Sequence, residues 1–197
     1  MTRFGIVGNN WYNDLLMKHK LSIMLVALAA FFAWQWWEGQ KRGQSTIAVD
    51  QAAIQAYFSP RGGASRAIVD ALNGATESVF VQAYSFTSEP IAAALARAKR
   101  RGVEVQVLLD KSQKEHKQTK APVLVRAGVR VWIDDKHAIA HNKVMIIDRK
   151  IVVTGSSNFT TSAEDRNAES LLIVKDPNLA ARYLANWESH RAHSEEY

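Results

Sequence analysis

The 197-residue sequence has no cysteine, which excludes disulfides and thiolate metal sites and leaves both reducing and oxidising compartments open. Proline is scarce, at four: Pro60 falls in a loop, and Pro90, Pro122 and Pro177 stand where helices open. No internal repeat and no low-complexity tract is present, so solenoids and tandem arrays are excluded. A strong charge imbalance is also missing from the globular part. The net charge is +6, and residues 1–42 supply half of it: Arg3, Lys18, Lys20, Lys41 and Arg42 against Asp14 and Glu38. The rest of the chain is only mildly basic, which permits an anionic substrate without requiring one.

Long apolar runs occur once. Leu21 to Trp37 reads LSIMLVALAAFFAWQWW, with no charge and no polar face. As a helix it would extend roughly 26 Å, enough for a thin hydrocarbon core. Lysines precede it, and Trp34, Trp36 and Trp37 sit at its far end as interfacial aromatics do. The expectation is an uncleaved anchor with the chain beyond it exported, into a periplasm. The alternative is a cleaved signal peptide, with Met17 as the true start. The chain thus divides into a polar segment 1–20, the hydrophobic helix 21–37, a linker 38–50 and a globular domain 51–197.

Within that domain, apolar runs alternate with helical stretches. Strands are expected at 52–58, 78–84, 103–109, 129–133, 144–147, 151–153 and 168–174. Helices are expected at 66–73 with Ser65 as cap, at 91–101, at 122–127 and at 178–190. Strand, helix, strand order implies parallel βαβ units. The lysines between Lys111 and Lys120, and the cluster Arg97, Lys99, Arg100 and Arg101, are either solvated faces or phosphate-tracking patches.

The chemistry concentrates in His141 to Asn158, HNKVMIIDRKIVVTGSSN. His141 and Lys143 are two apart and would share a strand face, a base beside a cation. Asp148 stands at a turn. Gly155 lets the backbone bend so that Ser156 and Asn158 converge with them. An imidazole, an ammonium, a hydroxyl and an amide suit a phosphate: donors hold the charge while the imidazole attacks or moves protons.

This H-x-K-x4-D-x6-G-S pattern, with Asn158 after it, resembles the signature of the phospholipase D superfamily. From about Ala52 onward the sequence is similar to its single-motif, Nuc-like bacterial endonucleases. Ala83-Tyr84-Ser85-Phe86-Thr87, Lys99-Arg100-Arg101-Gly102-Val103 and Asn167-Ala168-Glu169 support the resemblance. It implies an α/β fold with a mixed, mostly parallel sheet flanked by helices. It also implies a phosphohistidine on His141, phosphate binding by Lys143, Ser156 and Asn158, and Glu169 against the other ring nitrogen of His141. Asp148 is a weaker catalytic candidate, with a structural role at its turn preferred. The family builds its site from two H-x-K motifs and this chain has one, so a homodimer with the site on its two-fold axis is expected. No cofactor or metal is expected: His116, His137, His190 and His193 read as scattered surface residues. The expected activity is metal-independent phosphodiester hydrolysis of nucleic acid. The alternative is a phospholipase D acting on phosphatidylcholine-type lipid, and behind it a membrane-tethered binding module without activity.

Overall fold

The computed structural model describes residues 53–197 continuously and, before them, residues 17, 18, 20, 24, 28–35 and 37, all helical. The chain divides into two compact units, Met1–Ala48 and Val49–Tyr197. The expected hydrophobic helix 21–37 falls only partly on described residues, and the linker outside them. Among the described residues no helix is long and apolar enough to cross a membrane.

The second unit is an eight-stranded sheet. In chain order its elements are β1 (Ile54–Ser59), α1 (Ala64–Asn73), β2 (Ser78–Ala83), α2 (Glu89–Arg100), β3 (Glu104–Asp110), α3 (Ala121–Arg126), β4 (Arg130–Asp134), β5 (Lys143–Ile147), β6 (Ile151–Gly155), α4 (Thr161–Asp165), β7 (Glu169–Lys175), α5 (Pro177–Arg191) and β8 (Glu195–Glu196). The strand order is β1-β7-β6-β5-β2-β3-β4-β8. β2, β3 and β4 run parallel, each joined to the next by a helix, as crossover connections require. The remaining neighbours pair antiparallel. The sheet is therefore mixed, as expected, but the parallel share is smaller. The three-residue turn between β5 and β6 cannot cross over, so those strands form a hairpin, and β7 then inserts antiparallel between β6 and the earlier β1.

Side-chain alternation gives the sheet two apolar faces. Val79, Val81, Val105 and Val107 meet Ile68, Leu72, Ile91 and Leu95 from α1 and α2. Phe80, Leu108, Val144, Ile146 and Val152 meet Ala180, Leu184 and Trp187 from α5 on the other face. β2 is buried along its whole length, which is why its sequence, SVFVQA, reads as a nearly continuous apolar run. Asp176 caps α5, accepting from the amides of Asn178 and Leu179 at 2.8 and 3.1 Å. The expected Ser65 cap of α1 is corrected: Gly63 occupies the cap at φ 80°, and the Ser65 amide donates instead to Glu164 Oε2 at 2.8 Å.

The strand directions decide where chemistry can gather. The carboxyl ends of β1, β2, β3, β4 and β6 and the amino ends of β5 and β7 lie along one edge of the sheet. β5 joins the parallel strands to the antiparallel ones, and the chain enters it from that edge. This is the kind of switch point where α/β sheets place their ligands.

Candidate active site

His141 lies in the loop just before β5 rather than on the strand, exposed, while Lys143 begins the strand and is 6% exposed. They still meet, because the Lys143 side chain turns back: its Nζ donates to the carbonyl of His141 at 2.7 Å. Both rest on Tyr84, at the end of β2. The Tyr84 ring lies 4.6 Å from the imidazole, tilted by 53°, and Lys143 Nζ lies over it at 5.2 Å. The Tyr84 amide donates to Asn142 O at 2.8 Å and fixes the loop between the two motif residues. Tyr84 was legible only as part of a resembling segment. Its role comes from β2 and β5 being neighbours, which spacing along the chain does not encode.

Across β5, β6 ends at Gly155 with φ 154°. A Cβ there would stand 2.2 Å from the carbonyl oxygen of Ser170, so only glycine lets β6 pass this close to β7. The Ser156 amide donates to that carbonyl at 3.0 Å. Ser156 Oγ donates to Glu169 Oε2 at 2.5 Å and accepts from the Ser170 amide at 3.0 Å. The other carboxylate oxygen, Glu169 Oε1, accepts from Asn167 Nδ2 at 2.9 Å. β1 closes the cluster: Ser59 Oγ donates to Asn167 O at 3.0 Å and accepts from the Glu169 amide at 3.1 Å. Asn158 Oδ1 is buried without a hydrogen-bond partner.

Glu169 therefore does not hold the ring of His141 within this chain. Its carboxylate is taken by Ser156 and Asn167, and its charge acts on Lys143. Burial holds the Lys143 ammonium below the ordinary lysine range, and Glu169 opposes that shift. The charged form of Lys143 is thus disfavoured by the fold, which gains stability from this group as pH rises through the lowered value. Lys143→Met should keep the stem and raise Tm slightly while lowering kcat by about 100- to 1000-fold. Thermal melts and steady-state kinetics check both. Unchanged kcat would remove Lys143 from the machinery.

Asp148 is not part of this cluster. It stands just past the far end of β5, roughly 15 Å from Lys143 by strand rise, with φ 52° in the turn. Its carboxylate accepts from the amides of Thr76, Glu77 and Ser78 at 2.8 to 3.2 Å and from Thr76 Oγ1 at 3.1 Å. Partial burial pushes its carboxyl up, and these donors outweigh that and hold it below the usual range. Its place in the motif is structural. The Arg97 to Arg101 cluster is also distant from the site, at the opposite edge. Arg101 Nη2 donates to Leu72 O and Ala75 O at 2.9 and 3.0 Å, and Arg97 Nη2 to Asn73 Oδ1 at 3.1 Å.

The Lys111 to Lys120 stretch does reach the site's edge. Lys111 Nζ donates to His137 O at 2.9 Å. Lys117 and Lys120 line a polar cleft of about 680 Å³ with Thr87, Gln118, Thr161, Ser162, Asp165 and Arg166. The loop bearing Asn158 borders this cleft, because the amides of Thr87 and Ser88 both donate to Phe159 O, at 3.0 and 2.9 Å. His116 is exposed, as expected. The other three histidines are not scattered: His137, His190 and His193 gather around Asp134. Sequence spacing could not show this, because α5 brings the last two back across the sheet.

A family model described as cardiolipin synthase, PLD-like domain matches residues 68–191. The chain belongs to the phospholipase D superfamily. A protein named phospholipase D from Rickettsia bellii is 43% identical over 73% of this chain and 72% of its own length. A mitochondrial cardiolipin hydrolase from Mus musculus is 31% identical over 61% of this chain and 55% of its own. The solved structure of the phospholipase D family member Nuc from Salmonella typhimurium aligns with a TM-score of 0.70 at 33% identity, covering 73% of this chain and 97% of that one. This superfamily member is accordingly a phosphodiesterase, with His141, Lys143, Ser156 and Asn158 at the sheet edge described above.

Proposed function

We propose that the chain is a metal-independent endonuclease on DNA or RNA that works through a phosphohistidine. The observation that carries the substrate class is the cleft next to the loop of Asn158, where Lys117, Arg166 and Lys120, the last paired with Glu89, outnumber Asp165 and no large apolar side chain forms a wall. A polyanion suits such walls; an acyl chain does not.

A ring nitrogen of His141 attacks phosphorus, an N–P bond forms and the P–O ester bond breaks. The leaving alkoxide takes a proton from a second imidazole. That imidazole then deprotonates water, whose oxygen attacks phosphorus and breaks the N–P bond, restoring His141. The chain carries one H-x-K, so the second imidazole is His141 of another copy across a two-fold axis. Lys143 and the amide of Asn158 hold the non-bridging oxygens. Ser156 becomes a donor to phosphate only by releasing Glu169, to which its hydroxyl donates, and Glu169 balances the charge of Lys143. The uncharged run Leu21 to Trp37, with lysines before it, supports an exported, periplasmic enzyme tethered to the inner membrane.

One observation favours a lipid substrate instead. Phe58 and Ile139 flank the same edge and are 66% and 59% exposed, as residues that dip into a bilayer surface would be. The two readings separate when the full chain is incubated with supercoiled plasmid and, in parallel, with phosphatidylcholine vesicles, both in excess EDTA. Nicking of plasmid is the expected result. Headgroup release with intact plasmid would transfer the enzyme to lipid, and activity in neither would overturn the mechanism for these substrates.

A further inference from the structure

Asp134 ends β4 and its side chain is fully buried. Three imidazoles surround it. His137 Nδ1 lies 3.0 and 2.9 Å from its two oxygens, and His190 Nδ1 lies 2.9 Å from Oδ2. His193 Nε2 approaches Oδ1 only to 3.4 Å and is buried with no hydrogen-bond partner. The rings of His137 and His190 stack at 4.5 Å, and that of His193 lies 5.2 and 5.7 Å from them.

Hydrogen bonding alone accounts for this arrangement poorly. A carboxylate that already accepts from two imidazoles gains little from a third that does not reach it. Stacked imidazoles also repel if they are charged. Coordination to a cation answers both points, because neutral imidazoles then turn lone pairs toward a common centre. One ligand atom from each of the four residues lies within 4.8 Å of all the others. In a tetrahedral zinc site with bonds of about 2.0–2.1 Å, ligand atoms stand roughly 3.4 Å apart, so side-chain shifts of about 1 Å would close the set.

We propose that Asp134, His137, His190 and His193 bind one divalent first-row transition metal ion, zinc in the first instance. Three imidazoles and one carboxylate match zinc better than magnesium or calcium, which prefer oxygen ligands. The site is structural. β4 lies three strands from β5, roughly 14 Å across the sheet, so the ion takes no part in the attack on phosphorus. It fastens the last turn of α5 and the residues after it to the loop that runs from His137 to His141. That loop is otherwise held by Lys111 Nζ on His137 O and by the Ala140 amide on Asp110 Oδ2 at 2.7 Å.

The test uses the full chain, stripped with EDTA and dialysed free of it, titrated with zinc chloride by calorimetry and assayed for bound metal. One zinc per chain is expected, with Kd below about 1 µM. At a hundredfold excess over Kd, Tm should rise by about 5–10 °C. Cobalt(II) in place of zinc should give the visible bands of a tetrahedral site. His190→Ala and His193→Ala should each weaken zinc binding by about 10- to 100-fold, and His141→Ala should leave it unchanged. Circular dichroism without metal shows whether each variant has folded. No zinc uptake by wild type at about 10 µM overturns the proposal. So does undiminished binding by both folded variants, or binding that vanishes with His141. Because the readouts are binding and melting, the result is independent of whether the substrate is nucleic acid or lipid.

Discussion

His141→Ala should abolish hydrolysis, with kcat falling by at least about 10⁴-fold, because the proposed mechanism loses its nucleophile. The fold should not notice. His141 is exposed in a loop, its ring rests on Tyr84, and its carbonyl still accepts from Lys143. The change in stability should stay within about 0.5 kcal/mol, as for other surface substitutions. The pair of measurements is kcat on plasmid and Tm by circular dichroism; a large loss in Tm alongside lost activity would make the histidine structural instead. The same variant tests the shared site. If one His141 attacks while the other copy's protonates the leaving group, a dimer with one histidine fails. An equal mixture of wild type and His141→Ala, after subunits exchange, should then keep about a quarter of wild-type activity rather than about half. Retention of half would mean that each copy works alone.

Asp148→Ala should do the reverse: cost stability and spare chemistry. Three backbone amides and one hydroxyl lose their common acceptor where the turn after β5 meets the segment before β2. The group is partly exposed and water replaces some of what is lost, so the expected cost is about 3 kcal/mol, or a drop in Tm of about 10 °C. The pH dependence has a definite sign. The folded carboxyl titrates below its usual range, so its contribution is full above the unfolded value and is lost as pH falls through the folded one. The Tm gap between wild type and variant should therefore be widest near neutrality and shrink below about pH 4. Below its melting temperature the variant should keep wild-type kcat. Loss of kcat in a folded Asp148→Ala protein would restore the aspartate to the catalytic set.

These two residues mark what could be read from the sequence. The motif's spacing identified the chemistry because His141 and Lys143 stand at the start of β5 and Ser156 and Asn158 just past the end of its neighbour β6, where a glycine marks the close approach. Seven of the eight strands were legible to within a residue or two from their apolar, β-branched runs, and the two-residue β8, Glu195–Glu196, was not. What spacing could not carry was pairing. Tyr84 reaches His141 only because β2 and β5 are neighbours, and Ser59 braces Glu169 only because β7 returns beside β1. The histidine cluster was missed for the same reason: two of its members come from α5 and the residues after it, on the other side of a helix-to-sheet packing that no local pattern announces. The expected contact between Glu169 and His141 was inferred from resemblance, whereas in this chain Ser156 and Asn167 occupy the carboxylate.

The bond between Ser59 and Glu169 joins residues 110 positions apart. β1 is among the first parts of the domain to leave the ribosome, yet its strand partner is among the last. At about 5–20 residues per second the wait is roughly 5 to 20 s. During that time neither Glu169 nor its bracing exists, so the phosphate site is assembled only when synthesis of the domain is almost done. A truncated or stalled chain ending before β7 would contain His141 and Lys143 but lack Glu169 and the hydrogen bond that Ser156 makes to it.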